Sequence, residues 1–381
     1  MGINTLPVAK STAKVWTIYS VPNYTSISGN SSGNSGPYDV STTVYYLGGL
    51  FIFGTGNGYI GYSTDAKNWN YQLITATFVK INTIAFNGSI WVIGASDNLL
   101  YSGTPGGTWT ARTSQLTGTN PVYSVIWVSG SINLFILIGQ SDSPSNFISS
   151  SSDGITWTAR YSASTQPTGL AVNTAQTTIV VSTQITTANQ QAVYSTNGTS
   201  WSFAPVRSTV ATCGFIYYLP HADRFVASNL SDRRSPSTVG TASWNTAGSR
   251  EIQRAYNFSA FQSSNTYANQ RILPIWDSAN SKYYVTDVSA TGGQFWATLT
   301  TLNGTDVTTS YTTGTSTTYA LPVNKIEILP VNVGGAYPSS GGSYSDPPSL
   351  GYGNGIWVAV SASGSWQTAA LGSLSVSSTA V

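Results

Sequence analysis

A seven-residue phrase recurs along this chain with drift. It reads STDAKNW at 63–69, SSDGITW at 151–157 and STNGTSW at 195–201. Looser copies are SGTPGGTW at 102–109, STVGTASW at 237–244 and TLNGTDV at 301–307. Such recurrence points to an array of small structural units, each burying its faces against its neighbours instead of in one common core.

The phrase has the chemistry of a turn between two strands. Ser63, Ser151 and Ser195 open it, and Asp65, Asp153 and Asn197 follow two residues later. Asp and Asn side chains accept hydrogen bonds from the backbone just ahead of them and tolerate left-handed geometry. Gly154 and Gly198 supply the positive φ that such a turn needs. Trp69, Trp109, Trp157 and Trp201 close the phrase and open the next strand. An indole there is large enough to wedge between neighbouring sheets. A short apolar strand precedes each turn, and a WTAR strand follows it at 109–112 and again at 157–160.

These residues resemble the Asp-box, or BNR-repeat, of sialidase-like β-propellers. The family phrase carries one more residue between Asp and Gly, and the later copies here drift further, with Val239 in place of Asp and Val307 in place of Trp. The resemblance implies a ring of four-stranded blades. It also implies that the box residues are structural, because in that family the box sits at the blade periphery, away from the active centre.

Composition agrees with an all-β chain. Charged residues make up only 7% of it, and Glu251 and Glu327 are its only glutamates, so strong helix formers are scarce. Ser, Thr, Gly, Asn and strand-favouring aromatics fill the space. A net charge of +2 without a basic run beyond Arg233–Arg234 disfavours nucleic-acid binding. Cys213 is alone, which leaves no internal disulfide and no cysteine-based metal site. His221 is the only histidine, so a histidine cluster for a metal is also absent. The N-terminus lacks the apolar core of a secretory signal, and no stretch has the length of a membrane span. No cofactor is expected.

Counting strands predicts seven blades in a single domain over 1–381. The second unit is the clearest: an inner strand at 79–86, the hairpin pair Asn87-Gly88, then strands at 90–95, 99–102 and 109–112. The seventh unit, 324–371, is expected to begin with KIEILPV at 325–331 and to continue with NGIWVAVS at 354–361 and SWQTAAL at 365–371. It then lacks an outer strand. VWTIYS at 15–20 resembles an orphan outer strand, so the N-terminus is expected to complete the last blade and close the ring. Three long segments break the rhythm, at 21–39, 249–270 and 331–353. By connectivity the first two are expected on one face and the third on the opposite one, beside the box turns.

Catalytic chemistry is thinly supplied. A sialidase needs an arginine cluster, a Tyr–Glu pair and an Asp, and the two glutamates serve that poorly. The RILP at 271–274 stands in the sixth unit, whereas the family's arginine motif precedes the first box. His221 lies in PHAD, between two strands, and reads as a turn residue. Asp65 and Asp153 belong to the boxes, and Asp223 and Asp277 fall in expected hairpins. No catalytic residue and no metal ligand is therefore assigned. The candidate binding residues are Tyr337, Tyr344, Asp346 and Tyr352 in the 331–353 segment. Tyrosine there offers stiff contact area with a hydroxyl, suited to a sugar or a protein partner.

In style and composition the chain resembles bacteriophage virion proteins, which leave the host by lysis and need no secretory signal. The resemblance implies a non-enzymatic structural component of a tail, fibre or capsid decoration. Its partners would be other virion proteins and, for an adhesin, a host-surface glycan or receptor. Alternatives are a carbohydrate-binding or glycoside-hydrolysing propeller and a bacterial scaffold propeller.

Overall fold

The computed structural model describes residues 17–19, 42, 44–75, 79–116, 121–139, 145–163, 167–183, 192–204, 215–219, 224–228, 275–277, 282–286, 326–329, 349–360 and 366–370. Their regular structure is all β. Four consecutive sheets are antiparallel meanders of four strands in chain order. The first comprises Tyr45–Leu47, Leu50–Gly54, Tyr59–Ser63 and Asn70–Leu73. Next come Ile81–Phe86, Trp91–Ala95, Leu99–Gly103 and Trp109–Thr113. The third sheet is Val122–Val128, Leu134–Gly139, Ser145–Ser151 and Thr158–Ala163. The fourth is Pro167–Val172, Ile179–Thr183, Ala192–Ser195 and Ser202–Ala204. A hairpin of Phe215–Leu219 and Arg224–Ser228 follows, and its first strand lies beside the inner strand of the fourth sheet.

The second strands are the most apolar and the most buried. WVIGA and LFILIG have almost no exposed surface, because both of their faces are covered by adjacent sheets. Apolar clusters accordingly span pairs of sheets. Ile52 and Ile60 of the first sheet pack with Ile84, Trp91 and Ile93 of the second. Val92 and Leu100 of the second pack with Phe135 and Leu137 of the third. Ile136 and Phe147 of the third join Ile179 and Val193 of the fourth.

The inner strands carry a second kind of junction. Asn82 Nδ2 donates to the Val122 carbonyl at 2.8 Å, the Thr83 hydroxyl donates to the Val125 carbonyl at 3.1 Å, and Val125 N–H donates back to Thr83 Oγ1 at 3.0 Å. Tyr45 of the first sheet bonds the Thr83 side chain and the Ile84 backbone, and burial pushes its phenol up to about 12. Side chains of one inner strand thus occupy edge groups of the next, which would otherwise be open to another strand.

The last sheet differs from the expectation in two respects. Its inner strand is Ser349–Gly353, paired with Ile356–Val360 and then Trp366–Ala370. The expected inner strand at 325–331 is instead represented by Ile326–Leu329, which pairs in parallel with Lys282–Thr286, itself antiparallel to Ile275–Asp277. An apolar alternating run satisfies either position, so its composition does not choose between them. The fourth position of the last sheet is held by Thr17–Tyr19, antiparallel to Trp366–Ala370 with Thr17 opposite Thr368. The connector expected at 249–270 lies outside the described residues.

The last sheet also packs on the first. Val358 joins Val44, Phe51, Phe53, Ala66 and Trp69 in one buried cluster. Gly351 lies against Val44 and Gly353 against Tyr46, so tightly that a methyl on Gly353 would overlap the Tyr46 ring. The order of these contacts shows that the two inner strands run in the same direction.

Candidate functional site

The three seven-residue turns share one hydrogen-bond pattern. In the third sheet the Ser151 hydroxyl donates to Asp153 Oδ1 at 2.9 Å, and that oxygen accepts Ile155 N–H and Thr156 N–H, both at 2.8 Å. Gly154 N–H donates to Ser151 Oγ at 2.8 Å. In the first sheet Asp65 Oδ1 accepts from Ser63 Oγ, Lys67 N–H and Asn68 N–H. In the fourth, Asn197 Oδ1 accepts from Ser195 Oγ, Thr199 N–H and Ser200 N–H. The residue after the Asp or Asn has φ of 59° at Ala66, 71° at Gly154 and 73° at Gly198. Ala66 therefore adopts the left-handed geometry that glycine supplies in the other two copies.

The eight-residue copy in the second sheet has no carboxylate and is closed differently. Gly107 N–H donates to the Thr104 carbonyl, and Gln72 reaches over from the first sheet. Its Oε1 accepts Gly106 N–H at 2.8 Å and its Nε2 donates to the Gly107 carbonyl at 2.6 Å. Trp109 Nε1 also donates to Gln72 Oε1, at 3.3 Å. Gln72 carried no sequence signal, because its partners lie more than thirty residues away.

Each phrase-closing tryptophan among the described residues sits at the junction with another sheet. Trp69 packs in the cluster shared by the first and last sheets, and Trp109 in that of the first and second. Trp157 packs between the second and third, and Trp201 between the third and fourth. Trp69 Nε1 donates to the Ala66 carbonyl at 3.3 Å, while the buried Nε1 atoms of Trp157 and Trp201 have no hydrogen-bond partner among the described residues. These indoles are held by packing.

The box carboxylates titrate low. Burial opposes ionisation of Asp65, but Asn68 N–H, Lys67 N–H, the Asn68 amide and the Ser63 hydroxyl outweigh it and hold the carboxyl well below its ordinary 3.8. For Asp153, burial is likewise outweighed by Thr156 and Ile155 N–H, the Ser151 hydroxyl and its own N–H. Their contribution to stability is therefore complete above about pH 4. It is lost as pH falls from there through the depressed native values. Replacing both Asp65 and Asp153 by Asn, the residue already at 197, should flatten the decline in melting temperature between about pH 4 and pH 2. Melts across that range check this, and a decline parallel to that of the unaltered chain would contradict it.

Asp97, the remaining carboxylate whose side chain is described, is also committed. Tyr101 Oη donates to its Oδ2 at 2.6 Å, Thr75 Oγ1 donates to the same oxygen at 3.2 Å, and Leu99 N–H donates to Oδ1 at 3.1 Å. Burial and this carboxylate push the Tyr101 phenol up to about 12. Asp65, Asp97 and Asp153 stand on turns of three different sheets.

Of the candidate binding residues, Tyr337, Tyr344 and Asp346 lie outside the described residues. Tyr352 is in the inner strand of the last sheet, half-buried, with its ring 4.5 Å from that of Trp357 on the adjacent strand. It is thus a sheet residue and does not belong to a loop. This also revises where the 331–353 segment attaches. Its last five residues are strand, and it enters that strand at the end opposite the Gly353–Ile356 hairpin. In an antiparallel meander that end is away from the box turns, and Tyr45–Leu47 begins at the corresponding end of the first sheet. The expectation that 331–353 shares a face with the boxes is overturned.

No family model matches the chain, and no curated relative matches it. Among solved structures, the chain is similar to YCF48 bound to D1 peptide, at 11% identity over 62% of this chain and 72% of that one, with a TM-score of 0.41. It is also similar to the β-propeller domain of Cps50 (Swd1) from Myceliophteria thermophila, at 11% identity over 48% of this chain and 63% of that one, with a TM-score of 0.35. The architecture rests on the sheets themselves. Four-stranded antiparallel meanders, packed face to face in chain order with the last on the first, make the fold a β-propeller.

Proposed function

We propose that this chain is a non-enzymatic structural protein of a bacteriophage particle, a seven-bladed Asp-box propeller that binds its partners through one face. The observation that carries the binding reading is the attachment of the long segments. Tyr45–Leu47 and Ser349–Gly353 both begin at the sheet ends away from the box turns, and the polar, aromatic-bearing sequences 21–39 and 331–348 precede them in the chain. Surface loops of this kind serve recognition more readily than sheet edges do. The charge-poor Ser/Thr/Gly-rich composition supports the virion assignment. The closed ring is supported by the seam between last and first sheets and by the pairing of Thr17–Tyr19 with Trp366–Ala370.

The test uses Tyr337→Ala with Tyr344→Ala, leaving Tyr352 in its sheet. Particle incorporation or host-cell adsorption should weaken, by about 2 kcal/mol if either tyrosine anchors the contact. Normal incorporation and adsorption by this variant would reject the binding face. Absence of the protein from purified particles would reject the virion assignment, and robust turnover of a sialoside or other glycoside would reject the non-enzymatic one.

A further inference from the structure

The outer strand of the last sheet is unlike every other outer strand described. Asn70–Leu73, Trp109–Thr113, Thr158–Ala163 and Ser202–Ala204 are each joined to their sheet by a short turn of the repeated phrase. Thr17–Tyr19 has no such joint. It is held by three residue pairs, Thr17 with Thr368, Ile18 with Gln367 and Tyr19 with Trp366. The covalent path from Tyr19 to the first sheet runs through 20–41, which includes the Gly/Ser/Asn-rich 21–39. A chain of that length can reach up to roughly 70 Å.

We propose that the edge of Trp366–Ala370 facing away from Ile356–Val360, filled here by the chain's own Thr17–Tyr19, is also a docking strip for Thr17–Tyr19 of a second copy of this chain, so that copies link by exchanging N-terminal strands. Four observations fit that occupant. The strip and the strand are complementary in register, since their pairing is seen within one chain. Strand exchange leaves every hydrogen bond of that ladder intact, so the linked and unlinked forms differ little in energy. By its contour length the tether can reach a neighbouring copy, and an unfilled strip would expose the unpaired edge that β-proteins otherwise cover. Addition of an extended segment to a sheet edge is also an established mode of partner recognition. A tethered strand competes at an effective concentration on the order of millimolar. Self-pairing therefore dominates in dilute solution, and exchange becomes competitive where copies are crowded together. The inference stands on the strand pairing and does not depend on the virion assignment.

Cysteine pairing across the register tests it. All variants carry Cys213→Ser, so that introduced thiols are the only ones. A chain with Thr17→Cys is mixed with a differently tagged chain carrying Thr368→Cys, each at about 1 mM, held long enough to exchange, and then oxidised. The register control replaces Thr368→Cys by Gln367→Cys, which stands opposite Ile18, one register position away from Thr17. A single chain carrying both Thr17→Cys and Thr368→Cys, oxidised at about 1 µM, verifies that the variants fold with the strand in place. The expected result is an internal disulfide in that double variant, together with a covalent pair between differently tagged chains for Thr368→Cys. That pair should exceed the Gln367→Cys control by at least about tenfold. An internal disulfide without the cross-chain pair, or equal cross-linking by the control, would overturn the proposal. Failure of the internal disulfide to form would overturn the register on which it rests.

Discussion

Trp157→Ala is expected to destabilise the fold by about 3–5 kcal/mol. The indole is buried between the second and third sheets, among Val92, Leu100, Phe135 and Leu137, and truncation would leave a cavity at that junction. Trp157→Phe should behave differently. It removes a buried N–H that has no partner among the described residues, and so offsets part of the packing it loses. It is expected to stay within about 1 kcal/mol of the unaltered chain. Denaturant unfolding of the pair of variants separates packing from hydrogen bonding. Equal, large losses in both would mean that the indole N–H has a partner and that the junction is polar.

Removal of residues 1–20 should lower stability by about 2–4 kcal/mol, at roughly 1 kcal/mol per ladder bond together with the loss of cover for the edge. The lost contacts are those of Thr17–Tyr19 with Trp366–Ala370. The truncated chain should also self-associate, because Trp366–Ala370 then presents an unpaired edge. Thermal melting and light scattering read the two effects. Unchanged melting with no association would mean that the N-terminal strand contributes nothing to the sheet.

The repeated meander was legible in the sequence because its determinants are local. Asn87 Oδ1 accepts Ser89 N–H and Ile90 N–H, so that hairpin is settled within four residues, as are the turns at Asp65, Asp153 and Asn197. The last sheet was less legible. SLGYG at 349–353 reads as loop, since glycines depress strand propensity. In the structure Gly351 and Gly353 form the bed on which Val44 and Tyr46 lie, a contact between residues some three hundred positions apart. Placing the strand at 325–331 and treating Tyr352 as a loop residue both followed from missing that contact. The bridge from Gln72 to the second turn was hidden for the same reason.

The repeated turn divides its labour in a way that bears on how such a chain can change length. In the seven-residue copies its hydrogen bonds are made within one unit, while its tryptophan goes to the junction with another. A unit copied in tandem would bring its own closure and meet a partner surface already suited to it. Gene duplication or loss is thus easiest among the first four sheets, where junction follows junction on one plan. The seam between last and first sheets is the exception, because Val44 and Tyr46 fit only over the glycine bed of 349–353. Copying a unit across that seam would require a new bed, so the seam acts as the fixed point about which the number of units can vary.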